Sequence, residues 1–379
     1  MSHFSAQLND SLWRQRRESI YHKSENDVID ALGSSKCNLE DFKALISPAA
    51  TPYLEQMARR SKEMTLQRFG PTIGLYVPLY LSNRCSNICT YCGFSVGNKI
   101  QRTTLDSDQL AAEAKAIKKM GFDHILLVTG ESPRKVGMDY FRQALAILKP
   151  YFSHISMEVQ PLDTDQYREL SGLGVDAVLV YQETYHRQSY AEYHLKGRKT
   201  DFDFRLGSPE RLGQAEIHKI GLGCLLGLED WRSDAFHVAL HLDYLEKRYW
   251  KSRYSLSFPR IRPCEGGFQP KSPVNERELL QLICAYRLLN PQVELSLSTR
   301  ESALFRDNAM ALGITTISAG SSTRPGGYSD AQQSLEQFSI DDSRSPKAVA
   351  RMIKRKGYEV IWKDWEPALS TTRGLTQER

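Results

Sequence analysis

Val77-Pro78-Leu79-Tyr80-Leu81-Ser82-Asn83-Arg84-Cys85-Ser86-Asn87-Ile88-Cys89-Thr90-Tyr91-Cys92 runs from an apolar segment straight into three cysteines spaced C-x3-C-x2-C. The apolar run, residues 75–81, has the length of a strand, so the thiols lie just past a strand end. Three thiolates this close bind a soft metal centre, and iron–sulfur clusters and zinc are the two candidates. A structural zinc site wants four closed ligands, yet no fourth Cys or His lies within thirty residues on either side. Three ligands suggest an open position. The bland alternative is three buried, inert thiols.

Outward from this stretch, short apolar runs alternate with helical patterns. Eight runs are found, at residues 75–81, 124–128, 154–159, 177–181, 220–225, 254–258, 293–297 and 314–318. Between the first two, Leu110, Ala114, Ile117 and Met120 recur at helical spacing after Asp106 and Ser107, and Gly121 ends the pattern. Strands separated by helices in this way predict an α/β fold with a parallel sheet, and eight such units close into a (β/α)8 TIM-type barrel. A split barrel of six strands is the alternative; full closure is preferred. Pro78 lacks the N–H that a ladder needs, so a bulge or a strand start is expected there.

The barrel is expected over residues 71–330. Residues 1–70 read as an N-terminal helical extension punctuated by Ser47-Pro48 and Thr51-Pro52. Residues 331–379 read as a polar C-terminal segment with one amphipathic stretch, the last ten residues being disordered.

Composition narrows the class. The 379 residues are 41% hydrophobic and 25% charged, which suits a soluble globular protein with an ample core. The net charge of +5 is diluted and forms no Lys/Arg block, so nucleic-acid binding has little support. Lys115, Lys118 and Lys119 read as a solvated helix face. Asp10, Arg14, Arg16, Arg17 and Glu18 are interleaved where a secretory signal would be apolar, and no run approaches a membrane span. Seven cysteines, an odd number, fit a reducing compartment, so a cytoplasmic location is expected.

In such a barrel the active site lies at the C-terminal ends of the strands. The residues there are Asn83 and the cysteines, Thr129-Gly130-Glu131, Glu158 and Gln160, Gln182-Glu183-Thr184, Arg260 and Arg262, Ser298 and Arg300, and Ser318 to Arg324. Any one is as readily a solvated loop residue. Together they form a polar ring. Cys224 and Cys264 also follow strands, but two are too few for a second cluster; with Cys37 and Cys284 they read as ordinary buried thiols.

The cysteine triplet, with Tyr91 before its third member, resembles the motif of radical S-adenosylmethionine (SAM) enzymes. That resemblance implies a [4Fe-4S] cluster on Cys85, Cys89 and Cys92 whose fourth iron chelates SAM. Thr129-Gly130-Glu131 is similar to the Gly-Gly-Glu motif of those enzymes, with threonine in the first place. Glycine lets the backbone approach a ligand and a carboxylate can pair with an amino group, which suits SAM. Glu183 and Arg205 are further SAM candidates, Arg205 because its planar fork matches a carboxylate; a surface ion pair is its bland reading.

Longer stretches narrow the resemblance. VPLYLSNRCSNICTYCGFS, LLVTGE, KVGMDYF, MEVQPL, VYQETYH, KIGLG, RYSLSFPR, ELSLSTRE and PGGYSD resemble the tyrosine lyases of thiamine biosynthesis, the 2-iminoacetate synthases. The resemblance covers residues 45–365. It implies cleavage of L-tyrosine between Cα and Cβ to p-cresol and 2-iminoacetate (dehydroglycine) for the thiamine thiazole ring, with SAM yielding methionine and 5′-deoxyadenosine. It further implies a complex with the thiazole synthase and a flavodoxin or ferredoxin as reductant. The substrate carboxylate should meet a cation, for which Arg300 is the choice, with Ser298 and Ser318 as nearby donors. Tyr80 either contacts the substrate or packs within the first strand.

Three rivals stand beside this reading. The tyrosine lyase of hydrogenase maturation carries extra C-terminal cysteines, whereas no cysteine follows Cys284 here. A tryptophan lyase of antibiotic synthesis shares the architecture and would differ only in its pocket. A non-catalytic iron–sulfur sensor or carrier would need no polar ring.

Overall fold

The computed structural model describes residues 3–329 and 336–363. Its strands are, in chain order, β1 (Thr72–Ser82), β2 (Ile88–Cys89), β3 (His124–Thr129), β4 (His154–Glu158), β5 (Ala177–Leu179), β6 (His194–Lys196), β7 (Lys219–Gly223), β8 (Arg253–Ser257), β9 (Glu294–Leu297), β10 (Thr316–Ser318) and β11 (Glu359–Ile361). One nine-stranded sheet runs β10-β9-β8-β7-β5-β4-β3-β1-β11, and β10 also pairs with β1. Without β11, the other eight are parallel and close into a ring. The full barrel is therefore correct, the six-stranded alternative is not, and each expected run falls on one barrel strand.

Side-chain alternation explains how this barrel can be both stable and hollow. On β1, Ile73, Leu75, Val77, Leu79 and Leu81 are at most 1% exposed and join the main core under the helices. The alternate residues Tyr76, Pro78 and Tyr80 point inward and line a cavity. Each buried aliphatic side chain of this kind is worth roughly 1.5–3 kcal/mol relative to exposure. Stability thus resides in the outer layer, between sheet and helices. The first crossover helix, Ser107–Lys119, follows the expectation: Asp106 caps it through a capping box with Gln109, Leu110, Ala114 and Ile117 are buried, and Gly121 leaves it at φ 103°.

Pro78 departs from expectation, for it sits mid-strand and opposite Leu126 of β3. Gly74 N–H donates toward β10, to the Thr315 carbonyl, and the two-residue period aims the Pro78 nitrogen the same way. That side has no ladder left to serve, since pairing with β10 ends at Tyr76 and Ser318. The register shift falls later, between Tyr80 and Ser82.

Helices Asp10–Tyr21, Glu25–Gly33, Leu39–Ile46 and Leu54–Phe69 precede the barrel. They pack on its outer helices: Gln281 donates to the Leu45 and Ser47 carbonyls, and Arg232 to that of Ile46. After the barrel, the amphipathic helix Pro346–Arg355 leads into β11, which pairs in parallel with β1 over Thr72–Gly74. A strand in this segment was not expected from the sequence; the last ten residues lie outside the described residues.

The returning chain is anchored by Asp342, whose carboxylate pairs with Arg306; both side chains are 0% exposed. Arg344 pairs with Asp342 and with Asp307. Removing one partner of a buried pair leaves an uncompensated charge, so Asp342→Ala is expected to destabilise the protein by about 3–5 kcal/mol. Denaturant unfolding followed by circular dichroism measures this; an unchanged midpoint would contradict the anchoring role.

Candidate active site

Barrel interiors are usually packed with branched aliphatic side chains. This one is lined by Ser156 and Glu158 of β4, Ser255 and Ser257 of β8, Ser296 and Ser298 at β9, and Ser318 of β10. Small polar side chains leave room, and the cavity, open mouth included, measures about 1940 Å³. At its floor the half-buried His124 lies beside the buried His154, with ring centroids 4.1 Å apart, and desolvation pushes the His124 pKa down to about 3. Its imidazole is therefore neutral at physiological pH.

Cys85, Cys89 and Cys92 all line this cavity at the end of β1, each as a free thiol. Their loop is held by backbone bonds. Arg102 donates to four carbonyls, those of Asn83, Phe94, Ser95 and Asn98, at 2.7–3.1 Å. Ile88 and Cys89 pair antiparallel with β6, and Asn87 N–H points at Cys85 Sγ at 3.5 Å. Gly130 closes the end of β3 against this loop, because a Cβ there would lie 2.4 Å from the Arg84 carbonyl oxygen and 3.3 Å from Cys85 Cβ. The glycine is thus required by contact with the cysteine loop, a more immediate reason than approach to a ligand. Among the described residues no three His, Cys, Asp or Glu side chains gather tightly enough for one metal ion. A single zinc suits this arrangement poorly, whereas a cube offers each thiol its own iron.

Beside the cysteines lies a buried cluster of two cations and two anions. Arg205 donates to Glu131 at 2.8 Å and to Glu183 at 3.4 Å, and Lys199 to Glu183 at 2.6 Å. The second Glu131 oxygen accepts from Asn87 Nδ2 at 2.8 Å. Burial alone would raise both carboxyl groups, but Lys199 and Arg205 hold them below the usual range. Both are therefore ionised. Glu183 has φ 71°, a left-handed conformation uncommon outside glycine. Its backbone is held there by a bridge to Cys224, with Leu225 N–H donating to its carbonyl at 2.8 Å. Arg205 is 6% exposed, so the surface ion-pair reading does not hold. Tyr91 completes this wall, its hydroxyl 2.7 Å from His194 Nε2.

Arg300 enters from beyond β9. Its guanidinium lies 3.3 Å from the Phe338 ring centroid and donates to the Arg260 carbonyl at 3.3 Å; among the described residues it has no carboxylate partner. Ser298 Oγ accepts from Arg300 N–H at 3.4 Å and Ser318 Oγ from Thr299 N–H at 3.0 Å. Both serines line the cavity. Tyr80, 4% exposed, donates to Gln337 Oε1 at 2.8 Å. Arg260 and Arg262, by contrast, are spent on Glu301. Cys37, Cys224 and Cys284 are buried as expected, but Cys264 is only half-buried, with its thiol donating to the Tyr91 carbonyl at 3.2 Å.

Of the residues expected from the sequence, the structure therefore brings the three cysteines, Tyr80, Tyr91, Gly130, Glu131, Glu183, Arg205, Ser298, Arg300 and Ser318 to one cavity, whereas Gln160 lines a small separate pocket and Thr184 turns away to Asp234. Three contributors escaped that reading. Lys199 sits in the one-turn 3-10 helix Arg198–Thr200 after β6, Arg102 works through backbone carbonyls, and Gln337 reaches the site from the returning C-terminal segment, where its amide lies 3.8 Å from Cys92 Sγ. Of these only Arg102, a cation just after the cysteines, had a local signal.

Comparison with known proteins agrees with this geometry. Residues 79–237 match the family model described as the Radical SAM superfamily, and residues 257–359 that of the Biotin and Thiamin Synthesis associated domain. The chain is 55% identical over 370 residues to the 2-iminoacetate synthase of Escherichia coli (strain K12), covering 97% of this chain and 98% of that protein. It is 53% identical over 367 residues to the 2-iminoacetate synthase of Salmonella typhimurium, covering 97% of each. Among solved structures, HydG, a maturase of the [FeFe]-hydrogenase, superposes with a TM-score of 0.89 at 27% identity over 94% of this chain and 80% of HydG. With this cavity at its centre and relatives of that identity along nearly its whole length, the chain belongs to the 2-iminoacetate synthase family of radical SAM enzymes.

Proposed function

We propose that this cavity carries out the family's reaction with its residues in the following roles. The protein is a radical SAM lyase that cleaves the Cα–Cβ bond of L-tyrosine, releasing 2-iminoacetate and p-cresol for the thiamine thiazole. The observation that carries the assignment of roles is the shared lining: three thiols, a neutral four-charge cluster and an arginine with no carboxylate partner among the described residues open onto one cavity. Cys85, Cys89 and Cys92 hold the [4Fe-4S] cluster, leaving one iron for SAM. When bound, cluster and SAM together supply the electron and the 5′-deoxyadenosyl radical that the reaction needs.

Tyr91, Gly130, Glu131, Glu183 and Arg205, with Lys199, form the SAM wall. The amino-acid end of SAM is a zwitterion, and a neutral set of two cations and two anions can re-pair with it without stranding a buried charge. Arg300 takes the tyrosine carboxylate, with Ser298 and Ser318 beside it, and Tyr80 orients the substrate from β1. The buried walls keep water from a reactive carbon radical.

Thiazole synthase is the partner that receives 2-iminoacetate, because an imine of this kind hydrolyses in free water. A flavodoxin or ferredoxin supplies electrons in the cytoplasm, where free thiols persist. Among the described residues no helix is long and apolar enough to cross a membrane.

The test is anaerobic incubation of the reconstituted protein with SAM, reductant and tyrosine, followed by chromatography. Formation of p-cresol with glyoxylate, and no cyanide, is expected. SAM cleavage unaffected by tyrosine, with no p-cresol, would overturn the assignment.

A further inference from the structure

Glu158 ends β4 with its carboxylate opening onto the cavity, and among the described residues no cation lies within ion-pair distance of it. Among the described residues the other acidic side chains lining the upper cavity or its rim are committed: Glu131 and Glu183 to Arg205 and Lys199, Glu301 to Arg260 and Arg262. In the ring of eight strands β4 and β9 are four places apart in either direction, so Glu158 and Arg300 face each other from opposite walls. An anion facing a cation across a lumen is the complement of an α-amino acid, whose ammonium and carboxylate are carried on one carbon.

We propose that Glu158 accepts a proton from the α-ammonium group of bound tyrosine and returns that proton to the cleaved side chain. This rests on the reading that Arg300 holds the substrate carboxylate. The ammonium gives one proton to the Glu158 carboxylate, leaving a neutral amine and a carboxylic acid. The amine N–H then breaks homolytically, its hydrogen atom passing to the 5′-deoxyadenosyl radical to give 5′-deoxyadenosine, and the nitrogen-centred radical left behind breaks the Cα–Cβ bond. The α-carbon fragment departs as 2-iminoacetate and the side chain as a 4-hydroxybenzyl radical. One electron from the low-potential reductant and the proton held on Glu158 convert that radical to p-cresol and restore the carboxylate.

The surroundings suit a group that must both take and give a proton. Burial pushes the Glu158 pKa up to about 7, against the lowering pull of Arg300, Lys199 and Arg205 and with the raising influence of Glu183. Tyr76 and Tyr80 from β1 and Tyr181 from the end of β5 also face it, and burial keeps all three phenols protonated. A general acid–base works best when its pKa lies near the working pH.

Two measurements on the reconstituted holoenzyme test this. In the pH profile of kcat/KM for p-cresol formation, the wild type should show an acid limb near pH 7 and a plateau above it. Glu158→Gln should need tyrosine already deprotonated, so its activity should rise about tenfold per pH unit between 7 and 9. Glu158→Asp should keep the acid limb, which separates lost chemistry from lost folding. Without reductant, calorimetry should show the wild type binding tyrosine at least tenfold more tightly than 3-(4-hydroxyphenyl)propionate, which lacks the amine. Glu158→Gln should bind the two alike, while Arg300→Ala should weaken both. Wild-type pH dependence and wild-type preference for tyrosine in Glu158→Gln would overturn the proposal. Unchanged binding of both ligands to Arg300→Ala, with discrimination still lost in Glu158→Gln, would overturn the Arg300 reading and leave the ammonium contact standing.

Discussion

Cys89→Ala is expected to lower p-cresol formation by more than about a hundredfold, since even the outer hydrogen-bond partners of a metal ligand are typically worth 10–100-fold. Cys89 is 6% exposed and fixed by the antiparallel pairing of β2 with β6. The other nearby thiols are engaged elsewhere: Cys224 is buried beneath the Glu183 bridge, and the Cys264 thiol donates to the Tyr91 carbonyl. Iron and sulfide analysis after anaerobic reconstitution reads the effect directly. Full iron content with wild-type turnover in the variant would remove Cys89 from the ligand set.

Arg300→Ala should reduce kcat/KM for tyrosine by about 100-fold, or near 3 kcal/mol, the usual range for truncating one side of a buried, hydrogen-bonded charge pair. The guanidinium is already positioned against Phe338 and the Arg260 carbonyl, and it faces the cavity with no carboxylate of the described residues on it. Ordering it therefore costs little at the moment of binding. Cluster content should stay at the wild-type level, because Arg300 touches no cysteine. Steady-state kinetics with iron analysis checks both halves; an unchanged kcat/KM would refute the carboxylate role.

How much of this was legible beforehand depended on how each residue does its work. The eight barrel strands announce themselves because the outward positions, such as Ile125 and Leu127 on β3, are buried under helices and must be apolar. The inward positions carry the site and break the apolar pattern, as His154, Ser156 and Glu158 do on β4. Strand-end residues such as Glu131, Glu183 and Arg300 were legible from the rule that barrel chemistry sits at the C-terminal ends. β11 was not, since three half-exposed or exposed residues show no periodicity. Gln337 escaped because its partner Tyr80 is 257 residues away in the chain. Pro78 misled because its missing N–H matters only on the side where a neighbouring strand continues, and sequence does not reveal which side that is.

The most direct test of the whole account is electron paramagnetic resonance of the reduced, anaerobically reconstituted protein before and after SAM is added. A cluster held by Cys85, Cys89 and Cys92 alone has one iron open, so the spectrum should change on SAM binding while the iron count stays at four per chain. A spectrum indifferent to SAM, with four irons present and all four corners ligated by side chains, would contradict it.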